Sequence, residues 1–141
     1  MFLFLIRRFG KKVRIPSANV KQNLTVPIPD KKFLDQSEFS QLSQNYLYKA
    51  KVALENIHKS NEGSVLEIQP SLIRFETNIF KLLIERNFHE QCMQVMVGNG
   101  ITYNYFYDTE SERWISDRDG HLLDELLCRE ISYKCQGFFN I

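Results

Sequence analysis

SVLEIQPSLIRFETNIFKLLIERNFHEQCMQVMVGNGITYNYFYDTESERWIS, residues 64–116, decides the fold. Short runs rich in Val, Ile, Leu, Phe and Tyr alternate with turn residues, the pattern of strands joined by tight connections. Val65–Ile68 is followed by Pro70-Ser71, residues 72–75 by Thr77-Asn78, and residues 79–84 complete a third run. Residues 94–97, the Gly98-Asn99-Gly100 triplet, residues 101–107, a polar turn at 108–111 and Arg113–Ser116 add three more runs. The triplet reads as a hairpin turn and not as a phosphate cradle, because glycine supplies the positive φ that such turns need. The stretch predicts a meander of about six antiparallel strands.

On either side of it the period becomes that of a helix. Upstream, Phe39, Leu42, Tyr46, Ala50, Ala53, Leu54 and Ile57 recur at helical spacing. Asp35 or Ser37 can cap this segment, with Glu38 in its first turn, and Lys59-Ser60-Asn61-Glu62-Gly63 stops it. Downstream, Asp119 can cap a second helix with an apolar stripe of Leu122, Leu123, Leu126, Leu127 and Ile131. Two helices cannot cover both faces of such a sheet. The expected class is therefore α+β, a two-layer sandwich with both helices on one face of an antiparallel sheet of about six strands and the other face in water. Strand alternation turns Val95 and Val97 toward the helices and leaves Gln94 and Met96 on the open face, a natural binding surface. Trp114, a large aromatic beside the second helix, is expected to serve the structure.

A length of 141 residues, 43% of them hydrophobic, suits one folded domain with a real core. The apolar opening at residues 1–6 is far shorter than the roughly 20 residues of a membrane-spanning helix, so membrane insertion is not expected. The net charge of +1 conceals an asymmetry. Residues 1–34 carry eight bases and one acid, whereas residues 35–141 carry ten bases against sixteen acids. The opening MFLFLIRRFGKKVRIPSANV sets bulky apolar residues beside Arg and Lys with no acid before Asp30, the pattern of a mitochondrial-type transit peptide. Val26-Pro27-Ile28-Pro29 reads as an extended linker. The expected organisation is a targeting leader and linker over 1–34 and one domain over 35–141. The acidic domain offers no basic stripe, so nucleic acid is not an expected partner. Cys92, Cys128 and Cys135 form an odd set without a C-x-x-C pair, which points to a reducing compartment and away from disulfides or a zinc knuckle. No nucleophile elbow, Walker loop or paired-histidine motif occurs, and no catalytic residue is assigned.

Three pieces of the chain follow one another in a known order. Ser37-Glu38-Phe39-x-x-Leu42 opens the first helix; N-F-H-E-Q-C-M-Q-V-M-V-G runs from Asn87 to Gly98; and E-R-W-I-S-D-R-D-G runs from Glu112 to Gly120, before the leucine-rich helix. With these pieces, residues 37–127 resemble the frataxin family of mitochondrial and bacterial iron–sulfur assembly factors. The second piece is similar to the family's N-[K/R]-Q, four residues, Q-[I/V]-W-[L/V]-[S/A], and the third to its E-W-x-x-D-x-x-G. The sequence departs from the family in having Phe88 for the base, His89 for the glutamine and Met96 for an exposed tryptophan.

The resemblance implies a frataxin-like sandwich and an accessory protein of iron–sulfur cluster assembly in the mitochondrial matrix or a mitochondrion-derived organelle. Such a protein binds a complex of cysteine desulfurase and scaffold protein and delivers iron. The alternative is a ferroxidase or iron-storage role, an activity attributed to the family. Sustained turnover is not expected, because no Glu-x-x-His pair on facing helices is present. Asn87, His89, Gln94 and Met96 match the family's partner-binding patch. Iron would be held weakly, as cargo, by an acidic ridge on the first helix, since hard iron ions favour oxygen donors. Here Lys49 and Lys51 stand in that ridge, leaving Glu55, Glu62 and Glu67 as candidate iron ligands. Two unit charges about 4 Å apart interact by about 4 kcal/mol at an effective dielectric of about 20, so each lysine removes a comparable attraction for a nearby cation.

Overall fold

A computed structural model describes residues 34–98 and 100–141; the leader and linker expected over 1–34 lie outside the described residues except for Leu34. Along the chain come α1 (Gln36–Ser60), β1 (Val65–Ile68), β2 (Leu72–Glu76), β3 (Lys81–Asn87), β4 (Cys92–Val97), β5 (Ile101–Asp108), β6 (Arg113–Ser116) and α2 (Leu123–Lys134). The six strands form one sheet in sequential order, every neighbouring pair antiparallel. This is the expected α+β sandwich, with two helices on one face of a six-stranded antiparallel sheet.

Local chemistry sets the boundaries. α1 runs for 25 residues, about 38 Å, without a glycine or proline to interrupt it. At its start the Glu38 carboxylate accepts the Asp35 backbone N–H at 3.4 Å. At its end Asn61 takes an extended conformation, and its side-chain amide donates to the Ile57 carbonyl at 2.7 Å, satisfying an oxygen that the helix leaves free. α2 begins later than the sequence suggests. Asp119 accepts the His121 backbone N–H at 3.1 Å and so closes a turn, while Leu122 bridges to Ile115. The helix starts only after Glu125 has accepted the Leu122 N–H at 3.1 Å. β3 also starts late, at Lys81. The Thr77 hydroxyl accepts the Ile79 N–H at 3.2 Å and the Phe80 carbonyl accepts the Thr77 N–H at 2.8 Å, which spends residues 77–80 on the turn.

Alternation along the strands sends Ile73, Phe75, Leu82, Ile84, Met93, Val95, Val97, Tyr105 and Trp114 to the helix side. There they meet the buried stripes of α1 and α2 in one core. Trp114, only 5% exposed, packs edge-on against Phe39, Tyr46 and Tyr107, as its structural reading requires. The Tyr46 hydroxyl donates to Asp124 Oδ1 at 2.6 Å and ties α1 to α2. Burial, reinforced by that bond, pushes the Tyr46 hydroxyl far above the ordinary tyrosine range.

Two attachments were not legible from periodicity. Gln91 sits in the β3–β4 turn with φ of 53°, a left-handed conformation that aims its amide inward. Its Oε1 accepts the Leu34 N–H at 2.7 Å and its Nε2 donates to the Leu34 carbonyl at 2.9 Å, pinning the chain just before α1. After α2 the chain returns along α1. Asn61 Oδ1 accepts the Gln136 N–H at 2.9 Å, Asn61 Nδ2 donates to the Gln136 carbonyl at 2.8 Å, and Phe139 is buried in the core.

Candidate functional site

The candidate site is the sheet face turned away from the helices. Register places Glu67 of β1 opposite Arg74 of β2, Arg74 opposite Leu83 of β3, and Leu83 opposite Met96 of β4. One row further along, Leu72, Glu85, Gln94 and Asn104 line up across β2 to β5. Met96 is 40% exposed, Gln94 is half-buried, and Val95 between them is wholly buried on the other side. A groove of about 320 Å³ opens here, lined by Arg74, Glu76, Lys81, Leu82, Leu83, Met96 and Gly98. Its floor is apolar and its rim carries both signs of charge. Met96 at its wall is an unbranched, polarizable side chain that can adapt to a partner's surface.

Gln94 and Met96 thus share the open face, as strand alternation predicts. Asn87 lies on the same face at the end of β3, where its Oδ1 accepts the Glu90 N–H at 2.9 Å and shapes the turn. His89 stands apart, on the tip of the β3–β4 turn and almost fully exposed, with its Nε2 4.0 Å from Glu90 Oε2. Arg74, Leu83, Glu85 and Asn104 complete the surface around Gln94 and Met96. Sequence reasoning did not single them out, although alternation applied across β2, β3 and β5 places them there.

The three carboxylates expected to take iron lie on three elements: Glu55 on α1, Glu62 in the turn after it, and Glu67 on β1. Glu67 already has partners. Arg74 Nε lies 3.3 Å from its Oε1, and Gln69 Nε2 donates to its Oε2 at 2.7 Å. Among the described residues no group of three or more His, Cys, Asp or Glu side chains is placed to hold a metal ion. Lys49 and Lys51 lie along α1, their ammonium groups 5.9 Å and 5.8 Å from the ring centres of Tyr46 and Tyr48. No disulfide joins the three cysteines, and burial pushes the thiols of Cys128 and Cys135 up.

Comparison with known proteins agrees with this architecture. Residues 32–137 match the frataxin-like domain family, so the chain belongs to that family. A solved frataxin from Psychromonas ingrahamii is similar in fold, with a TM-score of 0.61 and 24% identity over 77% of this chain and 100% of that one. No curated protein matches the chain. Membership carries a general role in iron–sulfur assembly or iron handling, with iron binding and contact with assembly proteins as family properties. Among the described residues no helix is long and apolar enough to cross a membrane.

Proposed function

We propose that the chain is an accessory factor of iron–sulfur cluster assembly that docks through its open sheet face onto a complex of cysteine desulfurase and scaffold protein. Iron is its weakly held cargo, and its place of action is the mitochondrial matrix or a mitochondrion-derived organelle. The observation that carries the reading is Met96, 40% exposed beside Leu83 and Gln94 on a face that neither α1 nor α2 covers. An exposed flexible apolar side chain in a groove with a charged rim suits a protein partner, because interfaces combine a buried apolar centre with a polar rim. The matching family positions support the same face.

Iron contact falls to Glu55, Glu62 and Glu67, of which Glu67 is shared with Arg74. Scattered carboxylates favour a loosely held, salt-screened cation over a closed coordination site. Partner docking is tested by immobilising the folded domain and passing organelle extract over it. Recovery of cysteine desulfurase together with scaffold protein supports the proposal; recovery of neither overturns it.

A further inference from the structure

Tyr105 lies on β5 with its side chain wholly buried on the helix side of the sheet, away from the docking face. Its hydroxyl is 2.6 Å from His121 Nε2. The other ring nitrogen, Nδ1, is 2.5 Å from Asp119 Oδ1, and that same oxygen accepts the His121 backbone N–H at 3.1 Å. The turn at residues 119–121 therefore holds a carboxylate against the imidazole in a fixed geometry. Burial alone would raise the Asp119 carboxyl, but hydrogen bonds from the His121 ring and backbone outweigh that and leave it below the usual range. An ionised carboxylate only accepts, so Nδ1 carries a proton, and in the neutral imidazole Nε2 is then the acceptor for the phenol.

We propose that Tyr105, His121 and Asp119 form a proton-coupled redox relay in which the Tyr105 phenol holds a one-electron hole taken from oxidants of the class that ferrous iron forms with peroxide. The oxidant accepts one electron. The Tyr105 O–H bond breaks, its proton forms a new N–H bond at His121 Nε2, and a neutral phenoxyl radical remains beside an imidazolium that faces the Asp119 carboxylate. Without that transfer the oxidised phenol would be a buried, unpaired cation, which the protein interior strongly disfavours. An electron from a thiol or ascorbate-type reductant reverses the step and returns the proton to oxygen.

The hole reaches Tyr105 through Tyr103, whose half-buried ring is centred 6.2 Å away. The Arg118 guanidinium stands over the Tyr103 ring at 5.2 Å. Positive charge on that ring is disfavoured by its neighbour, and the hole moves inward to the phenol that has a base in contact. The relay does not depend on the docking face and is testable apart from it.

The full-length chain is illuminated with a ruthenium polypyridyl sensitiser and persulfate and followed by electron paramagnetic resonance. A neutral tyrosyl radical is expected, and Tyr105→Phe should remove it. His121→Gln should slow its formation by about 100-fold, the lower end of what a positioned base contributes. The same variant should make the rate depend on buffer base, and added imidazole should restore the rate in His121→Ala. A purely structural histidine would not alter either readout. If Tyr105→Phe fails to fold, the buffer dependence and the imidazole rescue decide. An unchanged signal in folded Tyr105→Phe places the radical on exposed tyrosines such as Tyr48 or Tyr133 and overturns the relay. Ferrous iron with hydrogen peroxide in place of light should give the same radical; a signal under light alone overturns the assigned oxidant, while the partner reading stands or falls on the pull-down.

Discussion

Val95 and Met96 are adjacent in the chain and face opposite sides of β4, one wholly buried and the other 40% exposed. Truncating the two should therefore have different consequences. Met96→Ala and Gln94→Ala are expected to weaken association with the assembly complex while shifting stability by no more than about 0.5 kcal/mol each, as surface substitutions do. Met96→Trp should preserve or increase affinity, since tryptophan adds contact area and is a common interface anchor. Denaturant midpoints and binding curves on the same variants check both statements; a Met96→Ala domain that unfolds, or binds as before, contradicts them. Acid sensitivity is also a matter of single residues. The Ser111 hydroxyl and the backbone N–H groups of Ser111 and Glu110 hold the Asp108 carboxyl below its usual range, against a smaller opposing effect of burial. A carboxyl lowered in the folded state favours folding above the unfolded value of about 3.9, and that contribution is lost as pH falls through the folded value. Urea midpoints should accordingly drop as the pH is taken below about 4, and Asp108→Asn should flatten that fall; an identical pH profile for the variant would exclude Asp108 as a source.

At the scale of elements, the segment after α2 behaves as a strap across α1. Phe139 fills the core, and Gln136 and Asn61 exchange two backbone-to-side-chain hydrogen bonds across 75 residues of sequence. Phe139→Ala is expected to cost about 3–5 kcal/mol, the range for emptying a buried aromatic position. Between them Gly137 has φ of 98°, and a Cβ there would stand 2.9 Å from Ser60 Oγ. Gly137→Ala should therefore lower the urea midpoint even though it adds only a methyl group, because both the backbone conformation and the space oppose it. A variant as stable as the parent would show that the strap can lift without loss. The other end of α1 is held by Gln91, and removing its two bonds to Leu34 with Gln91→Ala should cost about 1–3 kcal/mol.

For the whole molecule, charge sets the remaining expectations. Iron binding should be weak and salt-sensitive, and Lys49→Glu combined with Lys51→Glu should tighten it; a ferrous titration at two ionic strengths is the measurement, and tight, salt-insensitive binding would contradict it. Removing residues 1–33 should leave the thermal transition nearly unchanged while abolishing organelle import. A large fall in melting temperature would instead show that the leader packs on the domain. The cut falls before Leu34 because Gln91 ties that residue to the β3–β4 turn. The sequence by itself determined the element order, the antiparallel meander and the open face, because each rests on a period of two or about 3.6 residues that the chain repeats locally. It also determined which side of β4 carries Met96, since alternation leaves only two choices and the valines take the core. Tertiary structure alone decided what joins distant positions. The pairing of Glu67 with Arg74, the return of Phe139 onto α1, the capture of Leu34 by Gln91 and the alignment of Tyr105 with His121 each depend on packing between elements. No local period encodes such contacts. Asp119 shows the difference within one residue: as a helix cap it is plausible from sequence, yet the turn it closes on His121 starts α2 later and turns its carboxylate toward the imidazole.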